Sequence, residues 1–174
     1  MRSVTRYAAA AALLMFHASA GANTALGEIN IQLYGNIVDF TCVAEGSDSD
    51  KTVPLGTWPT KQLRTTGSRT QPMPFTLKLT GCPPGAASIT FSGKADGSDN
   101  SLLGLNEASD ATHVAVEIRD RDKTRLALEQ ASQPVTVDAL GNAELAFYAN
   151  YIATADNPQP GRADADATFM INYN

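Results

Sequence analysis

A chain of 174 residues, 43% of them apolar, is long enough to bury the core of one domain. Its 18 Asp and Glu outnumber its 13 Lys and Arg, which argues against a nucleic-acid partner, since that would need a basic face. The two cysteines stand 40 residues apart with no Cys-x-x-Cys, which is not a metal-ligand spacing, so no metal or cofactor is expected.

Arg2 and Arg6 precede an apolar run over 8–16, and Ala20-Gly21-Ala22 is a small-residue cleavage pattern. Residues 1–22 therefore read as a secretory signal peptide; a membrane span would need about 20 apolar residues. A cut after Ala20 instead of Ala22 shifts the start by two residues only. Without Arg2 and Arg6 the mature chain carries 11 basic against 18 acidic groups, a net charge near −7. Export to an oxidising compartment makes a Cys42–Cys82 disulfide the expected use of the two thiols.

The stretch 27–37 alternates strictly: Ile29, Ile31, Leu33 and Ile37 on odd positions, Glu28, Asn30, Gln32 and Asn36 on even ones. Period two predicts a strand with one face that seeks burial, at a mature chain end where polar, frayed sequence is usual. Burying the four side chains is worth about 1.5–3 kcal/mol each before ordering costs. Gly35 keeps the parity without a side chain, which suits either a shallow pocket in a partner or a bulge.

Further on, short alternating segments separated by Gly, Pro, Asp and Asn clusters predict eight or nine strands of an all-β sandwich. The expected strands are 37–44, 51–56 (a strand or bulge with Pro54 at an edge), 73–80, 88–93, 112–119, 124–129, 134–138, 143–153 and 162–174. Residues 45–50 (EGSDSD) and 120–123 (DRDK) are expected as solvated turns, the second closing a hairpin between 112–119 and 124–129. Residues 58–72 are expected as a surface excursion. On the last strand Ala163, Ala165, Ala167, Phe169, Ile171 and Tyr173 share one face, with Asp164, Asp166, Thr168, Met170 and Asn172 on the other. Both ends of the mature chain are thus amphipathic strands.

Several features together carry a family likeness. They are the signal peptide, the alternating extension with Gly35 seven residues before Cys42, the Val53-Pro54-Leu55-Gly56 segment, and Phe75-Thr76-Leu77-Lys78-Leu79-Thr80-Gly81-Cys82. To these are added Leu145-Ala146-Phe147-Tyr148-Ala149-Asn150-Tyr151, Gly161 fourteenth from the end, and Tyr173 as penultimate residue. Over 23–174 the chain resembles the pilin subunits of chaperone–usher fimbriae, above all the minor, adaptor-type subunits of type 1-like fimbriae. That resemblance implies an incomplete immunoglobulin-like β-sandwich lacking its last strand and completed by donor-strand addition. It implies three parts: signal peptide 1–22, donor-strand extension 23–37, and pilin domain 38–174. Ile29, Ile31, Leu33, Gly35 and Ile37 would form the donor strand. Gly161, Ala167, Phe169, Ile171 and Tyr173 would line the groove that a chaperone or donor strand fills. The implied partners are a periplasmic pilus chaperone, an outer-membrane usher and neighbouring fimbrial subunits, and the implied location is a surface fimbrium reached through the periplasm.

Other function classes fit less well. Beyond residue 22 the only histidine is His113, and there is no Gly-x-Ser-x-Gly or phosphate loop to support catalysis. Asp164 with Asp166, and Asp120 with Asp122, read as solvated charge. A carbohydrate-binding tip adhesin of this family would carry a lectin domain before the pilin domain and no donor extension; Trp58, the only tryptophan, reads as a packing residue. A major rod subunit would share fold and mechanism.

Overall fold

In a computed structural model the described residues are 42–46, 48 and 50–173, all within the unit Val38–Asn174. The predicted donor stretch, Ile29, Ile31, Leu33, Gly35 and Ile37 included, lies outside them, as does the signal peptide. The described residues form seven strands: β1 (Val43–Ala44), β2 (Met73–Thr80), β3 (Ala86–Gly93), β4 (Val114–Arg119), β5 (Val135–Thr136), β6 (Ala143–Ala153) and β7 (Ala167–Tyr173). They make two antiparallel sheets, one ordered β1-β2-β6-β4 and the other β5-β3-β7.

The sheets face each other through alternate positions of their strands, odd-numbered on β2, β3 and β6 and even-numbered on β4. Leu77 and Leu79 on β2, Ile89 and Phe91 on β3, Val116 and Ile118 on β4, and Leu145 and Phe147 on β6 form one buried cluster. Registers Leu77↔Leu145 and Phe75↔Phe147 keep these side chains opposite one another, as the period of two requires. The predicted Cys42–Cys82 disulfide is formed and packs at one pole of this core.

Four expectations change. Residues 51–56 form no strand: Pro54 has no N–H to give, and Gly56 turns the backbone to φ +82°. Residues 124–129 make only the isolated pair Arg119↔Arg125 with β4 before crossing to the second sheet, where Glu129 N–H and Ser132 N–H donate to the carbonyls of Phe91 and Ile89. The excursion 58–72 is partly built in. After a 3-10 turn at Thr60–Leu63, which buries Leu63, the chain continues the line of β2 along β6 through Gly67, Ser68 and Thr70. The turns 45–50 and 120–123 are not simply solvated. Asp48 is buried, accepting from Lys51 Nζ (2.6 Å) and the Lys78 N–H (2.7 Å). Asp120 is buried between the N–H groups of Arg121 and Gln133. Short turns consume carboxylate acceptors that a pattern of charges alone makes look free.

Candidate functional site: an open edge over an aromatic core

The outer edge of β4 exchanges both backbone bonds with Leu103, at 3.0 and 2.9 Å. Among the described residues two edges bear on the core phenylalanines. β2 is paired by β1 only at Leu79 and Thr80, and β7 is paired on one side only, by β3. An edge that long exposes unpaired N–H and C=O groups and invites another strand.

The core beneath that opening is aromatic. Phe91 and Phe147 are buried with ring centroids 5.1 Å apart; Phe75 stands 5.6 Å from Phe147, and Phe169 6.4 Å from Phe91. Phe75 and Phe169 are only half-buried although both point into the core, and so are Ile171 and Tyr151. Inward-facing side chains that stay half-exposed mark the volume of a missing strand, because a closed sandwich would bury them on both sides.

The predicted groove residues fall as follows. Phe169 and Ile171 pack on the core from β7, and Met170 between them is 63% exposed, so the predicted parity holds. Ala167 begins β7 opposite Gly93, and Tyr173 ends it opposite Ala87 with half its surface exposed. Gly161 lies on the approach to β7, six residues earlier. It is not a left-handed turn glycine; a Cβ there would stand 2.5 Å from the Ala111 nitrogen. Trp58 is half-buried and donates from Nε1 to the Leu55 carbonyl at 2.7 Å.

A two-sheet sandwich with one unfilled strand position has known relatives. Residues 31–174 match the Fimbrial protein family. The chain belongs to the fimbrial protein family. It is 58% identical to the fimbrial-like protein FimF of Salmonella typhimurium over 161 residues, 92% of this chain and 93% of that protein. It is 34% identical to a type 1 fimbrial subunit of Salmonella typhimurium over 150 residues, 82% and 81% of the two chains. Among solved structures, a type I fimbria protein of Burkholderia pseudomallei superposes with a TM-score of 0.60 at 26% identity, over 78% of this chain and 91% of that one. The P pilus rod subunit PapA shares the fold, with a TM-score of 0.61 at 16% identity, over 76% and 99%. The protein is therefore a structural fimbrial subunit with the incomplete immunoglobulin-like fold that its sequence resembled.

One cluster in this fimbrial subunit escaped the sequence reading. Glu117 sits between the inward-facing Val116 and Ile118 on β4, where alternation puts it outward, yet it is 1% exposed. Its carboxylate accepts from Arg69 Nε (2.9 Å), Arg119 Nε and Nη2 (2.9 and 2.7 Å), Arg125 Nε (2.8 Å) and Asn150 Nδ2 (3.1 Å). Burial by itself would raise its pKa; the three guanidiniums and the amide outweigh that and bring it to about 2. Arg125 also reaches Asp99 at 2.7 Å. The cluster ties the 67–70 segment, β4, the 124–129 segment and the 96–101 loop together on the face of the sheet away from the opening. The cue available in sequence was a lone acid between apolar residues on β4 with arginines nearby in number, which ordinary surface pairs share.

Proposed function

We propose that this fimbrial subunit is a link: its open β7 edge accepts a strand from one neighbour, and its extension 23–37 fills the same opening in another. The half-exposed core aromatics beneath two incompletely paired edges carry the acceptor half of this reading. The alternation of Ile29, Ile31, Leu33 and Ile37 carries the donor half. Each ladder bond formed on joining contributes about 0.5–1.5 kcal/mol net, and the apolar face adds its transfer energy. Together these support tight non-covalent assembly once the ordering costs are met.

In this reading the chain is organised as signal peptide 1–22, donor extension 23–37 and pilin domain 38–174. It passes through the periplasm, where a pilus chaperone covers the β7 edge until an outer-membrane usher hands the subunit to its neighbour. Its role is to build a surface fimbrium that supports adhesion, with no catalytic step. A minor, adaptor-type position is favoured by the much higher identity to FimF than to the type 1 fimbrial subunits.

Deleting residues 23–35 tests the link. The truncated subunit should still be captured by a neighbour's strand but should donate none, so immunogold labelling should find it at fibre ends only. Labelling along the fibre interior would remove the donor role. Copy number separates the two positions: one or a few per fibre for an adaptor, hundreds for a rod subunit.

A further inference from the structure

The approach to β7 is held in a way that bears on how a donor strand is aligned. The Arg162 carbonyl accepts from the N–H groups of Asp110 and Ala111, both at 3.0 Å. The Asp164 carbonyl accepts from Asn106 N–H at 2.8 Å and Ser109 Oγ at 3.0 Å, and the Asp164 N–H donates to Ser109 Oγ at 2.9 Å. The Asp166 carbonyl lies against β3, 2.9 Å from where a Cβ on Gly93 would stand. Backbone groups of even-numbered residues therefore face the 106–111 loop and β3, which is the alternation of an extended strand. Odd-numbered residues direct theirs to the other side, the open edge.

On that side one group is already taken. Tyr151, projecting inward from β6 in the opposite sheet, donates from its hydroxyl to the Ala163 carbonyl at 2.7 Å. The next odd residue, Ala165, packs on the core, and its N–H and C=O have no partner among the described residues. The free edge thus runs over 165–173, nine residues, and the apolar alternation 29–37 also spans nine. We propose that the Tyr151 hydroxyl is the register stop of the acceptor edge: it occupies the Ala163 carbonyl, so a donor strand pairs with 165–173 and no further. Side-chain parity by itself excludes a slip of one residue, but a slip of two keeps the same face inward. A closed carbonyl at one end removes that freedom. This proposal rests on the open-edge reading, and its test keeps the two apart.

The test uses the full mature chain, wild type and Tyr151→Phe, with three synthetic peptides of this sequence: residues 29–37, 27–37 and 29–39. The first longer peptide adds two residues at the N-terminal end and the second adds two at the C-terminal end, so neither strand direction is assumed. In wild type, the peptide end that reaches Ala163 gains nothing from lengthening. In Tyr151→Phe the freed carbonyl accepts one more N–H, and one longer peptide tightens about five-fold relative to 29–37, the equivalent of one net hydrogen bond. Amide exchange of the bound wild type should show protection reaching Ala165 and stopping there. A purely structural Tyr151 would lower the thermal midpoint and leave the length preference of the two proteins the same, which would overturn the proposal. So would wild-type protection of the edge beyond Ala165 upon peptide binding. If no peptide binds wild type, the open-edge reading fails and the register stop with it.

Discussion

Glu117 shows how much one misplaced charge can hold together. Three arginines from three segments converge on a carboxylate that is 1% exposed, so removing its charge leaves guanidiniums facing one another over a buried site. Glu117→Gln should cost on the order of 3 kcal/mol of unfolding free energy, read from urea denaturation at pH 7. The pH dependence has a definite sign. The folded pKa, about 2, lies below the ordinary glutamate value of 4.5, so the unfolded chain takes up the proton first. The stabilisation is complete above pH 4.5 and is lost as pH falls towards 2. Acid titration of stability should therefore be shallower in Glu117→Gln than in wild type over that window. Gly161 makes a second residue-level case. Its backbone needs no left-handed conformation, yet a methyl group would collide with the Asp110–Ala111 peptide. Gly161→Ala should destabilise by about 1–3 kcal/mol through overpacking, measured as a fall in thermal midpoint.

β7 has two faces with different fates, and single substitutions separate them. Phe169 points to the aromatic core and remains half-buried, whereas its neighbour Met170 is 63% exposed. Met170→Lys should change stability by no more than about 0.5 kcal/mol and leave incorporation into fibres intact. Phe169→Lys places an ammonium in the apolar floor of the opening. It should abolish incorporation, scored by the amount of subunit in sheared fimbriae. Equal incorporation of the two variants would show that the inward face of β7 does not receive a strand. The edge itself is extended beyond the ladder by the 106–111 loop, which holds residues 162 and 164 much as a neighbouring strand would.

At the scale of the whole molecule, a sandwich that lacks a strand cannot rest on its core alone. The Cys42–Cys82 bridge closes a loop with a sequence separation of 40 residues at the pole where β1 meets the end of β2. Loss of such a bridge in a domain of this size costs about 2–5 kcal/mol. Cys42→Ala with Cys82→Ala should therefore lower the yield of exported subunit strongly, and co-expression of a protein that fills the β7 edge should restore part of it by mass action. A double variant with undiminished stability in the absence of any added strand would mean that the core is complete without help.

The alternation in 143–153 and in 167–173 needed no tertiary information, because a period of two is a local property of an extended chain with one buried face. The same holds for the cysteine pair, whose use follows from export and an even count. What sequence could not settle was where short polar segments go. Asp48, Asp120 and Glu117 look like surface charge in a list of residues, yet all three are buried with partners as far as 48 positions away. Residues 124–129 leave β4 for the other sheet because backbone bonds to Phe91 and Ile89 compete with a hairpin that the turn alone would favour. Long-range partners of this kind have no periodic signature. The family features that resembled a pilin pointed to an opening; only the fold brings β2, β7, four phenylalanines and the Tyr151–Ala163 hydrogen bond together.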